Sequence, residues 1–141
     1  MSKGRNKGFT LIELMMVVII IGILAAMVVP RFVGRVGQAK IGVARADIAT
    51  ISQGLEMYEM ENGMFPTTEQ GLKALLEKPT TSPVPQNWAS PYLKKDPIDP
   101  WQKTYQYRCP SQNNQDFDLW SLGQDGRDGT DDDITNWKKP Q

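Results

Sequence analysis

Five aspartates fall within nine residues near the C-terminus: Asp125, Asp128, Asp131, Asp132 and Asp133. Carboxylates held that close repel one another unless a counter-ion stands between them. Gly123, Gly126 and Gly129 are interleaved with them, and glycine lets a backbone turn its carbonyls inward. Carboxylate and carbonyl oxygens are what Ca2+ takes, about six to eight at a time. The spacing is not that of an EF-hand, because Arg127 and Gly129 stand where that loop needs oxygen side chains. Nor does it match the glycine-rich nonapeptide repeats. A solvated acidic turn fits the same residues, and spacing alone does not choose between the two. Trp120 and Trp137 bracket the loop, as though its ends were packed and its middle held.

Glu13 is the second residue with pointed chemistry. It is the one charge from Phe9 to Pro30. A carboxylate in such a segment costs on the order of 2.5–3.5 kcal/mol near a bilayer centre. Near a helix start it can reach the interface, and the helix dipole favours an anion there, so a tolerated interfacial carboxylate is one reading. The sharper reading supplies a partner. A cut after Gly8 would give Phe9 a free α-amino group one helical turn before Glu13. That amine, its own or a neighbour's, would neutralise the carboxylate.

Little else offers chemistry. The 141 residues include no histidine and one cysteine, which excludes a Ser-His-Asp triad, a Cys-His pair, a His-liganded zinc and an internal disulfide. Asp96 and Asp99 could pass for an acid-base pair, but no nucleophile accompanies them. Two turn-forming aspartates before Pro97 and Pro100 explain them better. Cys109 reads as a small buried apolar residue. The chain is therefore expected not to be an enzyme. Its 16 basic and 16 acidic residues cancel, so no overall field points to nucleic acid.

The zero is a sum over unlike zones. Lys3, Arg5 and Lys7 lead the chain without an acid among them. The 22 residues from Phe9 to Pro30 follow, long enough as a helix to cross roughly 30 Å of bilayer core. The basic leader favours a cytoplasmic N-terminus, although Arg31, Arg35, Lys40 and Arg45 stand on the other side. A secretory signal cut near Ala25 and Ala26 is the competing reading. Gly22 and Pro30 weaken the helix between them, so that stretch is either kinked or unwound.

Past Pro30 the apolar residues Ile41, Ala44, Ile48, Ile51, Leu55 and Tyr58 recur at alternating spacings of three and four, the signature of one helix face. Asn62 and Gly63 stop that helix. Residues 68–76 are expected to form a short helix capped by Thr67 or Thr68, and the proline-rich stretch 79–100 a structured loop. Residues 104–108 and 117–121 alternate and are aromatic-rich, as two antiparallel strands would be. The expected fold class is α+β: a long N-terminal helix, membrane half and amphipathic half, packed on a small C-terminal antiparallel β-sheet.

Lys7-Gly8-Phe9-Thr10-Leu11-Ile12-Glu13-Leu14 resembles the processing signature of type IV pilins and pseudopilins. The resemblance implies a prepilin peptidase that cuts after Gly8 and methylates Phe9, and makes Glu13 the residue assembly requires. Gly22 and Pro30 fall where family filaments are locally unwound. Three further stretches, residues 62–72, 96–101 and 121–137, are similar to the major pseudopilins of type II secretion systems. That similarity implies a type IV pilin-like fold with a calcium-binding C-terminal loop. It assigns Asp125 and Asp132 as side-chain ligands and Leu122 and Thr130 as carbonyl ligands, with Asp131, Asp133 and the Arg127 carbonyl as further candidates. The run of three aspartates leaves the choice among Asp131, Asp132 and Asp133 open.

The implied domains are a leader at 1–8, a transmembrane and assembly half-helix at 9–34, and a periplasmic globular domain at 35–141. The implied function is that of a single-pass inner-membrane protein, N-terminus cytoplasmic, which polymerises into a periplasmic filament that helps export folded proteins. Its partners would be copies of itself, minor pseudopilins, the inner-membrane assembly platform, the prepilin peptidase and, before assembly, membrane lipid. A type IV pilus subunit is the alternative, but such pilins usually close a C-terminal loop with a disulfide and this chain has only Cys109. A soluble periplasmic calcium-binding module or enzyme, released by ordinary signal cleavage, is the alternative from another class.

Overall fold

A computed structural model describes residues 8–138, with residues 28–35 described by backbone alone. Lys3, Arg5 and Lys7 of the leader, and the side chains of Pro30, Arg31 and Arg35, lie outside the described residues. The chain divides into two compact units, Met1–Gln38 and Ala39–Gln141. One helix, α1 (Leu11–Asn62), contributes to both.

In the first unit the sequence sets the start of α1 through Thr10 and Glu13. The Glu13 N–H donates to Thr10 Oγ1 at 3.3 Å, and the Thr10 N–H and hydroxyl both donate to Glu13 Oε2 at 3.0 Å. This is a reciprocal capping box, which satisfies donors that a helix start otherwise leaves unpaired. The apolar residues that follow are exposed on every side, from Leu11 at 78% to Ile21 at 60% and Met27 at 70%. A helix apolar all round needs an apolar surrounding. Among the described residues no helix is long and apolar enough to cross a membrane. The backbone is helical through Gly22 and Pro30, neither unwound nor interrupted.

In the second unit the apolar stripe does what its spacing predicts. Ala44, Ile48, Ile51, Leu55 and Tyr58 are buried, and Ile41 packs at their edge. The helix ends where the Gly63 N–H reaches back to the Glu59 carbonyl at 2.7 Å. Asn62 caps this end, donating from Nδ2 to the Tyr58 carbonyl at 3.0 Å.

The expected helix over residues 68–76 does not form. Thr67 and Gln70 close a second capping box (3.1 and 3.2 Å), but Gly71 then turns to a φ of 59°, outside right-handed helical space. Only a 3-10 helix, Leu72–Leu75, follows. The proline-rich stretch is a structured loop, as expected. The Tyr92 and Leu93 N–H groups donate to the Leu75 carbonyl, and Trp88 Nε1 donates to the Ala74 carbonyl at 2.9 Å.

Three antiparallel strands complete the unit: β1 (Gln106–Arg108), β2 (Asp118–Ser121) and β3 (Ile134–Thr135), in the order β1-β2-β3. Tyr107 pairs with Leu119, and Trp120 with Thr135. The first two are the expected hairpin, shorter than read because Thr104 instead bridges Ile98. β3 has two residues, too few for any alternation to reveal it. The central strand β2 is buried along its whole length. Leu119, Phe117, Tyr105 and Ile134 join Leu72 and Leu75 in one core with the helix stripe. The α+β reading stands as a helix with a small antiparallel three-stranded sheet. Cys109 is only half-buried, at the core's edge.

Candidate functional site

The acidic loop leaves β2 at Ser121 and returns as β3 at Ile134. Its two ends are pinned by packing, because Trp120 and Trp137 meet edge-to-face at 5.6 Å. Arg108 lies 5.4 Å from the Trp120 ring centre, a cation–π distance. Trp120 Nε1 donates to Asp128 Oδ1 at 2.9 Å, so this aspartate ties the loop to the strand beneath it.

The root of the loop is held from inside. Asp99 is fully buried; its Oδ1 accepts the N–H groups of Trp101 and Lys103, both at 2.9 Å. Its Oδ2 accepts the Ser121 hydroxyl at 2.6 Å, and Ser121 Oγ accepts the Gly123 N–H at 3.2 Å. Asp99 is thus the turn-former expected from its place before Pro100, and an anchor for the loop besides. Asp96 is exposed and forms no pair with it.

The oxygens of the loop converge on Thr130 Oγ1. It stands 2.6 Å from Asp132 Oδ1, 3.2 Å from the Arg127 carbonyl, 3.3 Å from Asp125 Oδ1 and 3.5 Å from Asp133 Oδ1. A hydroxyl has one proton to donate, so four acceptors share a single donor. Backbone N–H groups supply more. Asp132 Oδ2 accepts from Asp125 (3.0 Å), Asp125 Oδ1 from Arg127 (2.8 Å), and Asp133 Oδ2 from Gly129 and Thr130 (2.8 and 3.2 Å). The Thr130 hydroxyl, then the Asp125 N–H, hold the Asp132 carboxyl down at about 2. Gly123 leaves no room for a side chain, since a Cβ there would lie 2.5 Å from the Asp132 carbonyl and 2.6 Å from its Oδ2.

Of the residues the sequence singles out, the structure brings Asp125, Asp132, Asp133 and the Arg127 carbonyl together around Thr130. Asp131 lies exposed beside them. The Leu122 carbonyl accepts the Gly126 N–H at 3.1 Å, and the Thr130 carbonyl accepts the Asp133 N–H at 3.4 Å. Among the described residues, no three acidic, histidine or cysteine side chains stand close enough together to hold a metal ion. The donor set is nonetheless all oxygen and largely anionic, as hard-cation chemistry requires. Sequence reasoning missed the Thr130 hydroxyl, having named only its carbonyl. It also missed the capping box at Thr10 and Glu13, although a T-x-x-E pattern before an apolar run announces one.

The other candidate residues lie at the start of the first unit. Gly8 and Phe9 precede α1 and are exposed, Phe9 at 83%. In the uncut chain Phe9 carries a peptide N–H rather than an amine, and Thr10 is what engages Glu13. Gly22 lies within α1, as does the backbone of Pro30.

Comparison with known proteins bears on both ends. Residues 3–29 match the prokaryotic N-terminal methylation motif, and residues 31–137 match the family described as type II secretion system protein G. Three proteins named type II secretion system core protein G are close relatives. That of Pseudomonas aeruginosa is 51% identical, over 97% of this chain and 99% of its own. That of Vibrio cholerae is 45% identical, over 97% and 96%. That of Escherichia coli K12 is 43% identical, over 96% and 94%. The crystal structure of the major pseudopilin from the type 2 secretion system of enterohaemorrhagic Escherichia coli superposes with a TM-score of 0.69 at 41% identity, covering 74% of this chain and 87% of that one. With the methylation motif at its head and the secretion match over its folded unit, this chain belongs to the protein G family of type II secretion systems.

Proposed function

We propose that the chain is the major structural subunit of a type II secretion pseudopilus, anchored in the inner membrane and polymerising through its N-terminal helix into a periplasmic filament that helps export folded proteins. The observation that carries this reading is the start of α1, whose apolar residues are exposed on every side while the second unit has a core of its own. Packing such helices together, first in lipid and then in a filament, gives them the apolar surrounding they need. The family match to secretion protein G disfavours the pilus alternative.

Gly8 and Phe9 are exposed ahead of the helix, open to a prepilin peptidase. Cutting after Gly8 and methylating Phe9 would create an amine beside Glu13. Thr10 and Glu13 satisfy one another in the uncut chain. A free amine offers Glu13 a charged donor instead, and a charge-assisted hydrogen bond is the stronger one. A neighbouring subunit's amine would give assembly its register.

The donors of the acidic loop, oxygen throughout and largely anionic, are of the kind that calcium takes. Asp125 and Asp132, with Asp131 or Asp133, and the carbonyls of Leu122, Arg127 and Thr130 would hold it. Bound calcium would offset the repulsion that the Thr130 hydroxyl and a few backbone N–H groups otherwise moderate, fixing the loop against neighbouring subunits. Copies of the chain, minor pseudopilins and the assembly platform are its proposed partners.

The mass of the mature N-terminus tests this reading. Loss of residues 1–8 with gain of one methyl group is the expected result, and a start near Met27 would overturn it. Glu13→Gln should abolish filaments while the folded unit melts unchanged.

A further inference from the structure

The ammonium of Lys103 fills the space in which a Cβ on Gly126 would sit, and its stem runs beside the same glycine, with Cε 2.6 Å and Cδ 3.3 Å from that position. Gly126 lies between Asp125 and Asp128, in the loop whose oxygens gather on Thr130. The approach is built into the backbone. The Lys103 N–H donates to Asp99 Oδ1 (2.9 Å), and the Lys103 carbonyl accepts the Asp99 N–H (2.7 Å). Asp99 also holds Ser121 at the root of the loop. One buried carboxylate therefore fixes both the loop and the lysine that lies on it. Lys103 is half-buried, and among the described residues the one ion pair within 4.0 Å is Arg108 with Asp118. The ammonium thus lies against the loop at Gly126 and, among the described residues, has no carboxylate within ion-pair distance.

We propose that Lys103 is the loop's own cation, which steadies the aspartates when no metal is bound and sets how tightly a divalent ion is taken; this rests on the calcium reading above. The two effects have opposite signs. A positive charge beside the aspartates attracts them, so its removal loosens the metal-free loop. The same charge repels an incoming divalent cation, so its removal tightens metal binding, by roughly five- to tenfold for charges separated by several ångströms in a largely solvated loop. A lysine that only packed its stem against Gly126 would behave otherwise, because losing it would weaken the metal-free fold and metal binding together.

Calorimetric titration of the full chain in detergent with calcium chloride, beside melting curves in chelator, tests the proposal. Lys103→Met should melt lower in chelator yet bind calcium roughly five- to tenfold more tightly, and Lys103→Arg should restore both values. Lys103→Gln serves as the neutral variant if the methionine chain does not fold. Equal or weaker calcium binding by the neutral variant, with binding intact in the unmodified chain, overturns this inference alone. Calcium uptake by neither chain overturns the calcium reading with it.

Discussion

Asp99 and Ser121 meet at 2.6 Å inside the second unit, the carboxylate accepting the hydroxyl, with both residues buried. The two belong to different parts of the chain, a proline-flanked turn and the end of the central strand. Through them the turn that carries Lys103 and the strand that opens the acidic loop are held to each other. Ser121→Ala would leave Asp99 Oδ2 buried without this donor and free the Gly123 N–H as well. The expected loss is about 1–3 kcal/mol, read from urea unfolding. Asp96→Asn, three residues earlier but exposed, should stay within about 0.5 kcal/mol. Equal losses would mean that the burial of Asp99 does not matter.

The contrast between these aspartates shows what a sequence can and cannot display. Both stand one residue before a proline, and that local fact predicts a turn for both. Which of them is buried depends on Ser121, a partner with no fixed spacing to it. The same division holds elsewhere. The stripe from Ile41 to Tyr58 was legible because a helix face has a period. The hairpin of β1 and β2 was legible because strands alternate. β3 has two residues and carries no period, and the helix expected over residues 68–76 failed at one backbone angle, that of Gly71. The aspartates of the loop announced an oxygen-rich site by composition alone. Their gathering on Thr130, and the arrival of Lys103 over Gly126, are tertiary facts with no local pattern behind them.

Gly126 and Gly129 separate two causes that usually act together. Both have positive φ, 68° and 81°, so alanine at either is strained by roughly 1–2 kcal/mol. Gly129 faces open space, whereas the place of a Cβ on Gly126 is taken by Lys103. Gly126→Ala should therefore destabilise the chain more than Gly129→Ala in thermal melts without calcium. The excess should shrink when Lys103 is replaced by alanine. An excess that survives in the double variant would place its cause elsewhere.

Thr130 supplies the one hydroxyl proton at the centre of the loop. Thr130→Val keeps the shape and removes that proton, so Asp125, Asp132 and Asp133 face one another with backbone donors alone. The metal-free melting temperature should fall by an amount equivalent to about 1 kcal/mol, and Thr130→Ser should recover most of it. A valine chain that melts like the unmodified one, with the serine chain melting lower, would show that the methyl group, not the hydroxyl, matters here.

Asp118 gives the fold a measurable acid limit. Its burial opposes the charge, but the Ser111 hydroxyl, the Gln112 N–H and Arg108 all donate to it, at 2.5, 3.0 and 2.6 Å for the shortest bonds. These outweigh burial and hold the carboxyl down at about 2, below its ordinary value of 3.8. A carboxyl depressed by folding adds stability that is complete above the ordinary value and disappears as the pH falls through the depressed one. The urea midpoint should accordingly decline between about pH 4 and pH 2. Asp118→Asn should be less stable at neutral pH, by about 2–3 kcal/mol for the lost charged hydrogen bonds, and should decline less steeply across the same interval. Arg108 can turn its guanidinium toward water, since its side chain is 32% exposed, so the cost stays below that of a fully buried pair. Parallel declines in the two chains would assign the acid sensitivity to other carboxylates, with those of the C-terminal loop the next to examine.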